Sequence, residues 1–353
     1  MNAVLFAFTA RGRETARRIA DILSGSGDSA RVHVPERLAE GDCLPYAGSL
    51  PDFVGSVFDA DALIFVGACG IAVRAIAPHA VSKRSDPAVL CVDERARYVI
   101  PILSGHIGGG NRLARRLSAA LDAEPVITTA TDVNGRFSVD AWAAERGMGI
   151  SDMTLAKRIS AEILTRDIPF WSDHARPSLP LPEGLAWNDS GLLGICVSAR
   201  GLHPFEDTLL LTPRVLRVGI GCRLGTSVEA VAAAVERVFQ ENGLDLNAVA
   251  DAASIDIKAD EPGLVAFCRR MDWPLRCFSA AELAAVPGCF SRSEFVLRAV
   301  GVDSVCERAA AADGGDLIVR KTAFDGVTVA VAEQEWGIDF GQDSRGGHRA
   351  RRL

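Results

Sequence analysis

The chain reads as an α/β protein: two parallel-sheet α/β domains, N-terminal and C-terminal, joined by a small middle region. Three observations lead there. Runs rich in Val, Ile and Leu, too short for helices, alternate with amphipathic stretches at helical spacing through residues 1–149 and again through 214–336. Glycine turns follow the runs directly, as at Gly67-Ala68-Cys69-Gly70 and from Ser104 to Gly110. Between the two, from 150 to 213, the pattern gives way to proline-marked loop and isolated short strands. Residues 337–353 form a basic tail expected to be disordered.

In order, Val4–Thr9 is a strand, Ala10–Arg13 a turn and Thr15–Leu23 a helix with Ala16, Ile19, Ala20 and Leu23 on one face. Ala30–Val34 is a strand, Phe53–Phe58 a short helix and Ala62–Val66 a buried strand; Ile71–Ala77 turns helical until Pro78. Ala88–Val92 and Tyr98–Leu103 are strands around a polar turn. The glycine loop comes next, then a helix with Asn111 as N-cap, then a strand from Val126 to Asp132, making a βαβ unit. Gly135–Gly147 reads as a helix, and Ser151–Thr165 as another capped by Ser151 or Asp152. Ile168–Trp171, Leu193–Val197 and Thr208–Leu211 are strands. The second domain opens with the strand Val215–Ile220, a turn Gly221–Ser227 and the helix Val228–Asn242. Strands Ala253–Ile257 and Leu275–Phe278 and helices Leu264–Met271, Ala280–Ala285, Ser293–Val300 and Ser304–Ala311 follow. Leu317–Val319 and Val327–Ala332 are strands flanking a turn, Arg320–Gly326.

The totals exclude several classes. With 353 residues, 48% apolar and 24% charged, the chain has the composition of a soluble globular protein of two or three domains. A net charge of −7 argues against a general nucleic-acid surface. No stretch approaches a membrane span, and the start lacks the basic flank of a signal peptide, so a cytoplasmic protein is expected. Nine scattered cysteines suit reduced thiols, and none sits at zinc-ligand spacing, so no metal site is expected.

Chemistry is expected where a strand runs into a glycine loop and a helix. A helix N-terminus there points free N–H groups at the crevice outside the carboxyl ends of a parallel sheet. Ser104 and His106 fall at one such end and Thr128–Asp132 at the next. The helix start after His106 is expected to lower its pKa and keep the ring neutral, as a base requires. Gly219–Ser227, with Gly221, Cys222 and Arg223 at its centre, suits an anionic group; it misses the dinucleotide fingerprint, its third glycine, Gly225, standing one residue out of place. Lys258-Ala259-Asp260-Glu261 and Lys321–Gly326 place opposite charges at strand ends, as sites or as solvated turns.

These stretches together resemble the cobalt-precorrin-5A hydrolase family of anaerobic cobalamin biosynthesis. The resemblance is carried by Gly67–Arg74, by Asp86–Glu94, by Val99-Ile100-Pro101-Ile102-Leu103-Ser104-Gly105-His106 through Asn111, and by Thr128–Asp132. Val218–Arg223, Lys258–Leu264, Ser304-Val305-Cys306-Glu307 and Lys321–Thr328 continue it to about residue 335. It implies hydrolysis of a cobalt-bearing tetrapyrrole lactone with release of acetaldehyde. It implies no cofactor of the protein's own, since the cobalt travels with the substrate. Such a step needs a base, an oxyanion site and an acid. The N–H groups of Ser104–Asn111, Gly108 and Gly109 among them, are expected to form the oxyanion site, with His106 or Asp132 as base. Glu94 and Lys258 are weaker acid–base candidates. Gly70, Asn111, Thr129, Thr131, Gly221, Cys222, Arg223, Glu261, Lys321 and Thr322 complete the expected substrate contacts. The expected partners are the corrinoid and, transiently, neighbouring pathway enzymes, with neither nucleic acid nor membrane. Two other readings stay open: a corrinoid carrier without chemistry, which would release no acetaldehyde, and a nucleotide-dependent transferase.

Overall fold

The computed structural model describes residues 1–82, 85–174 and 180–340. They form two compact units, Met1–Glu145 and a second beginning at Arg146. Pro177 and the expected tail beyond residue 340 lie outside the described residues.

The first unit is built on a seven-stranded sheet. In spatial order its strands are Leu44–Pro45, Ser29–Val34, Asn2–Ala7, Ala62–Val66, Ala88–Val92, Tyr98–Leu103 and Glu124–Pro125. The first five are mutually parallel. Tyr98–Leu103 turns antiparallel to Ala88–Val92, and Glu124–Pro125 runs parallel to Tyr98–Leu103. Helices Ala10–Ser24 and Gly110–Leu121 bury Ile19, Leu23, Leu113 and Leu117 on one face. Helices Leu50–Ser56 and Cys69–Ile76 cover the other over the stacked rings of Phe6 and Phe65, 4.7 Å apart.

Several expected boundaries move, each for a local reason. Ala10–Arg13 is helix and not turn, because Thr9 accepts the Gly12 N–H at 2.9 Å and caps it. The strand expected from Val126 to Asp132 is absent. Thr129 lies at the N-cap of a short helix, Ala130–Val133, and its hydroxyl donates to Asp132 three residues on. That Thr-x-x-Asp pattern is a helix-start signal that outweighs the apolar pair Val126-Ile127. Asn111 is not the N-cap of its helix either: Gly109, at φ 76°, takes that place.

The second unit carries two sheets. In the middle region Leu185–Trp187, Ile168–Ser172, Leu193–Val197 and Asp207–Thr212 are parallel, and Gly149–Ile150 pairs antiparallel at the edge. The C-terminal sheet runs Leu275–Phe278, Val249–Ile255, Leu216–Cys222, Val327–Glu333, Asp316–Phe324, with the last two in an antiparallel hairpin. Arg320–Phe324, expected as a turn, therefore belongs to a strand. Residues 337–340, expected in the tail, pack: Ile338 is buried and the Phe340 ring meets Phe170 edge-on at 5.6 Å.

Helices Val228–Glu241 and Pro262–Met271 bury Val235, Phe239, Leu264 and Phe267 on one face of the C-terminal sheet. Helix Val305–Ala311 lies on the other, so close that a Cβ on Gly219 would stand 1.8 Å from the Cys306 carbonyl oxygen. Gly219 is thus a close-packing glycine and not part of a phosphate loop. Gly219→Ala must push that helix off the strand, and overpacking of this kind costs about 1–3 kcal/mol. Denaturant unfolding should show the loss; an unchanged midpoint would contradict the packing.

Candidate functional site

In the first unit the glycine loop gathers a cluster of charges. His106 is the centre: its Nε2 is 3.0 Å from Asp132 Oδ2 and its Nδ1 is 3.3 Å from Asp140 Oδ1. Asp132 Oδ2 also accepts from Asn111 Nδ2 at 2.9 Å and from the Thr129 hydroxyl, while Arg115 Nη2 donates to Oδ1 at 2.7 Å. Asp132 therefore meets donors on both oxygens. Ser138 Oγ lies 3.2 Å from Nδ1 and donates to Asp140 at 3.0 Å, and the Thr131 hydroxyl is 3.4 Å from Nε2.

Electrostatics follow from these partners. Burial opposes a charged ring, but hydrogen bonds and charge from Asp132 and Asp140 outweigh it and raise His106 to about 9. Burial likewise pushes the Asp132 carboxyl up, and His106, Thr129 and Arg115 together hold it well below the usual range. The expectation of a neutral histidine is thus overturned: two facing carboxylates outweigh a helix N-terminus, and the ring is an imidazolium at neutral pH.

Other expectations at this loop change as well. The N–H groups of Gly109, Gly110 and Asn111 bond inside the loop, to the carbonyls of His106, Ser104 and Gly105 at 2.9, 3.1 and 2.8 Å, so they are not the oxyanion donors. Ser104 is buried, and its hydroxyl donates to the Asp86 carbonyl at 3.0 Å, which makes it a brace. Gly108 is required because a Cβ there would stand 2.5 Å from the Ser104 Cβ. Because Tyr98–Leu103 is antiparallel to Ala88–Val92, with Leu103 opposite Val89 and Val99 opposite Val92, the His106 loop lies at the opposite sheet edge from Gly70 and Glu94. Gly70 is inside the helix Cys69–Ile76, and Glu94 accepts from the Thr9 hydroxyl at 2.8 Å. Neither joins the His106 cluster. Asp140, Ser138 and Arg115 were missed from sequence; reading 135–147 as one helix hid that Ser138 precedes the observed start at Val139.

In the second unit the expected residues do come together. Gly221, Cys222, Arg223, Lys258 and Lys321 line one cavity of about 540 Å³, within the usual range for small-molecule sites. Glu261 is buried behind it, accepting from Lys258 Nζ at 2.7 Å and from the Gly225 N–H at 2.8 Å. Thr322 is outside the lining; its hydroxyl donates to the Arg320 carbonyl at 3.2 Å. Sequence reasoning missed the apolar wall, formed by Phe295, Val296, Ala299 and Val300 of the helix Glu294–Val300. Phe295 is 82% exposed, Leu224 89% and Ile257 66%, a cluster of large apolar side chains left in water at the cavity. Burial pushes the Cys222 thiol up, which keeps it protonated at neutral pH.

Among the described residues no group of three or more His, Cys, Asp and Glu can hold a metal ion. Around His106 the reason is geometric: Asp132 and Asp140 sit on opposite ring nitrogens. No described helix is long and apolar enough to cross a membrane.

Family models match both units: Cobalamin synthesis G N-terminal over residues 52–132 and Cobalamin synthesis G C-terminus over 216–332. The cobalt-precorrin-5A hydrolase of Salmonella typhimurium is 34% identical over 343 residues, covering 93% of this chain and 96% of that protein. The chain belongs to the cobalt-precorrin-5A hydrolase family. The hydrolase of Priestia megaterium is 30% identical over 92% of this chain and 93% of its own. Protein CobE of Sinorhizobium is 32% identical over 136 residues, 37% of this chain and 87% of that one. The N-terminal match spans the His106 loop and ends at Asp132, and the C-terminal match spans most of the cavity.

The charge cluster has a pH signature. Folding raises His106 above its ordinary value of 6.5, so its contribution to stability is complete below about 6.5 and fades as pH rises through about 9. Thermal melts at constant ionic strength should show Tm falling over that window, and His106→Asn should lose that part of the slope. An identical slope in the variant would place the ring outside the carboxylate pair.

Proposed function

We propose that the chain is a cobalt-precorrin-5A hydrolase of anaerobic cobalamin biosynthesis. The carrying observation is similarity to hydrolases of that name over more than 90% of both chains. Water adds to the δ-lactone carbonyl and the acyl C–O bond breaks, leaving a hydroxyl on the methylated bridge carbon. Loss of that hydroxyl proton lets the oxygen electrons form a carbonyl as the carbon–carbon bond to ring A breaks. Acetaldehyde leaves, the electron pair stays on the conjugated macrocycle, and a proton delivered there gives cobalt-precorrin-5B.

His106 is the group suited to the anionic stages. As an imidazolium fixed by Asp132 and Asp140 it holds positive charge and a proton at the loop, and since both its N–H groups face those carboxylates, the proton is passed on through one of them. Ser104 has no nucleophilic part, its hydroxyl being committed to Asp86. The cavity of the second unit binds the macrocycle: its apolar wall suits the flat ring, and Arg223, Lys258 and Lys321 suit the acetate and propionate side chains. The cobalt enters as part of the substrate. Nine free cysteines support a cytoplasmic enzyme.

A second reading, corrinoid binding without chemistry, rests on the likeness of part of the chain to a shorter, separate protein, Protein CobE, whose match covers 37% of the chain. Anaerobic incubation with cobalt-precorrin-5A and mass analysis separates the two: the hydrolase yields acetaldehyde, the carrier none. In single-turnover measurements His106→Ala should lose about 10²-fold or more in rate, the usual effect of removing an acid–base group. Tm is read on the same sample. A lowered Tm with near-normal chemistry would reduce His106 to a brace for the glycine loop.

A further inference from the structure

Helix Val305–Ala311 carries a charge that the catalytic reading leaves unused. Glu307 is fully buried, 0% exposed, and its position is set by the tight seat of the helix against Gly219. Its carboxylate accepts the backbone N–H of Lys321 at 2.9 Å, the Ser291 hydroxyl at 2.9 Å and the Ser291 backbone N–H. The Lys321 N–H is available for a reason of register. Strand Asp316–Phe324 advances three residues from Val319 to Thr322 while its partner advances two, from Val331 to Val329. Such a bulge leaves an N–H outside the ladder and re-aims the neighbouring side chains.

The two groups held by Glu307 belong to opposite walls of the cavity. Lys321 lines the strand side. Ser291 is two residues before Ser293, the N-cap of helix Glu294–Val300, which forms the apolar side. A second tie runs the same way, from Arg320 Nη1 to the Cys289 carbonyl at 3.1 Å. A carboxylate accepts all three Glu307 bonds, whereas an amide would turn donors toward a backbone N–H. Burial pushes the Glu307 carboxyl up, but the N–H groups of Lys321 and Ser291 outweigh it and keep it ionised.

We propose that Glu307 is a positioning residue for tetrapyrrole binding: it ties the Lys321 backbone in the bulge to Ser291, so that the Lys321 ammonium meets a side-chain carboxylate of a macrocycle lying on the apolar wall. This rests on the reading of the cavity as the macrocycle site.

The test uses the full-length chain as wild type, Glu307→Gln, Lys321→Ala and the double variant. Each is titrated with cobyrinic acid, a cobalt corrinoid with free side-chain carboxylates, and with its heptaamide. Backbone amide exchange at Lys321 and Ser291 is followed without ligand. Glu307→Gln should weaken cobyrinic acid binding about tenfold, leave heptaamide binding within about twofold and add nothing to Lys321→Ala. Exchange at both amides should accelerate. Equal losses for the two ligands, additive losses in the double variant, or unchanged exchange would overturn the proposal. If Glu307→Gln fails to fold, Ser291→Ala, which removes one of the three bonds, carries the same comparison. Wild type that binds neither corrinoid would sink the cavity reading, and the proposal with it. Binding with unaltered selectivity in the variant would sink the clamp alone.

Discussion

An ionised carboxylate taken out of water must be given donors, and each unit of this chain arranges a site around one that is. Asp132 collects an imidazolium, an amide, a hydroxyl and a guanidinium. Glu307 collects two backbone N–H groups and a hydroxyl. Losing a donor to such a group leaves a desolvated charge, which costs far more than a surface ion pair contributes. The donors are therefore held in place, and they come from segments far apart in sequence. The His106 ring and the Lys321 backbone are positioned as a consequence.

At His106 the charge balance decides the chemistry. One carboxylate beside a histidine orients the ring; two, on opposite nitrogens, require both nitrogens to donate and make the ring a cation. A cation at a partly exposed loop is suited to anionic oxygen and to giving up a proton, and poorly suited to taking one. The cavity of the second unit has a complementary character. Large apolar side chains stand in water beside cations, an arrangement unfavourable in the free protein and one that the proposed flat ring fringed with carboxylates would satisfy.

The direction of one strand governs where the first site lies. Five parallel strands present their carboxyl ends, with Gly67–Gly70 and Glu94, at one edge. Tyr98–Leu103 reverses, and its glycine loop emerges at the other. The residues between Val92 and Tyr98 allow the reversal: Asp93 Oδ1 accepts the N–H groups of Arg97 and Tyr98 at 2.7 Å each, closing a tight turn. A tight turn joins antiparallel neighbours, whereas parallel ones need a crossover.

The sequence by itself determined the α/β class, the βαβ plan around the glycine loop, nearly every strand of the C-terminal sheet and the family. These rest on local patterns: apolar periodicity, glycine after a strand, and motifs in order. It also determined most of the cavity's polar residues, because Gly221–Arg223 and Lys258 mark strand ends, whereas Lys321, read at a strand end, lies in a bulge within the strand Asp316–Phe324. What it left open concerned distance and company. Asp140 meets His106 only through the placing of its helix, and that second carboxylate reverses the ring's charge. Glu94 and Gly70 share the motifs' order along the chain but not the edge of the sheet. The bulge at Lys321 and the apolar wall of the cavity arise from register and packing between segments. A one-dimensional pattern carries periodicity and order, while charge state and site membership depend on separations of a few ångströms that tertiary structure alone sets.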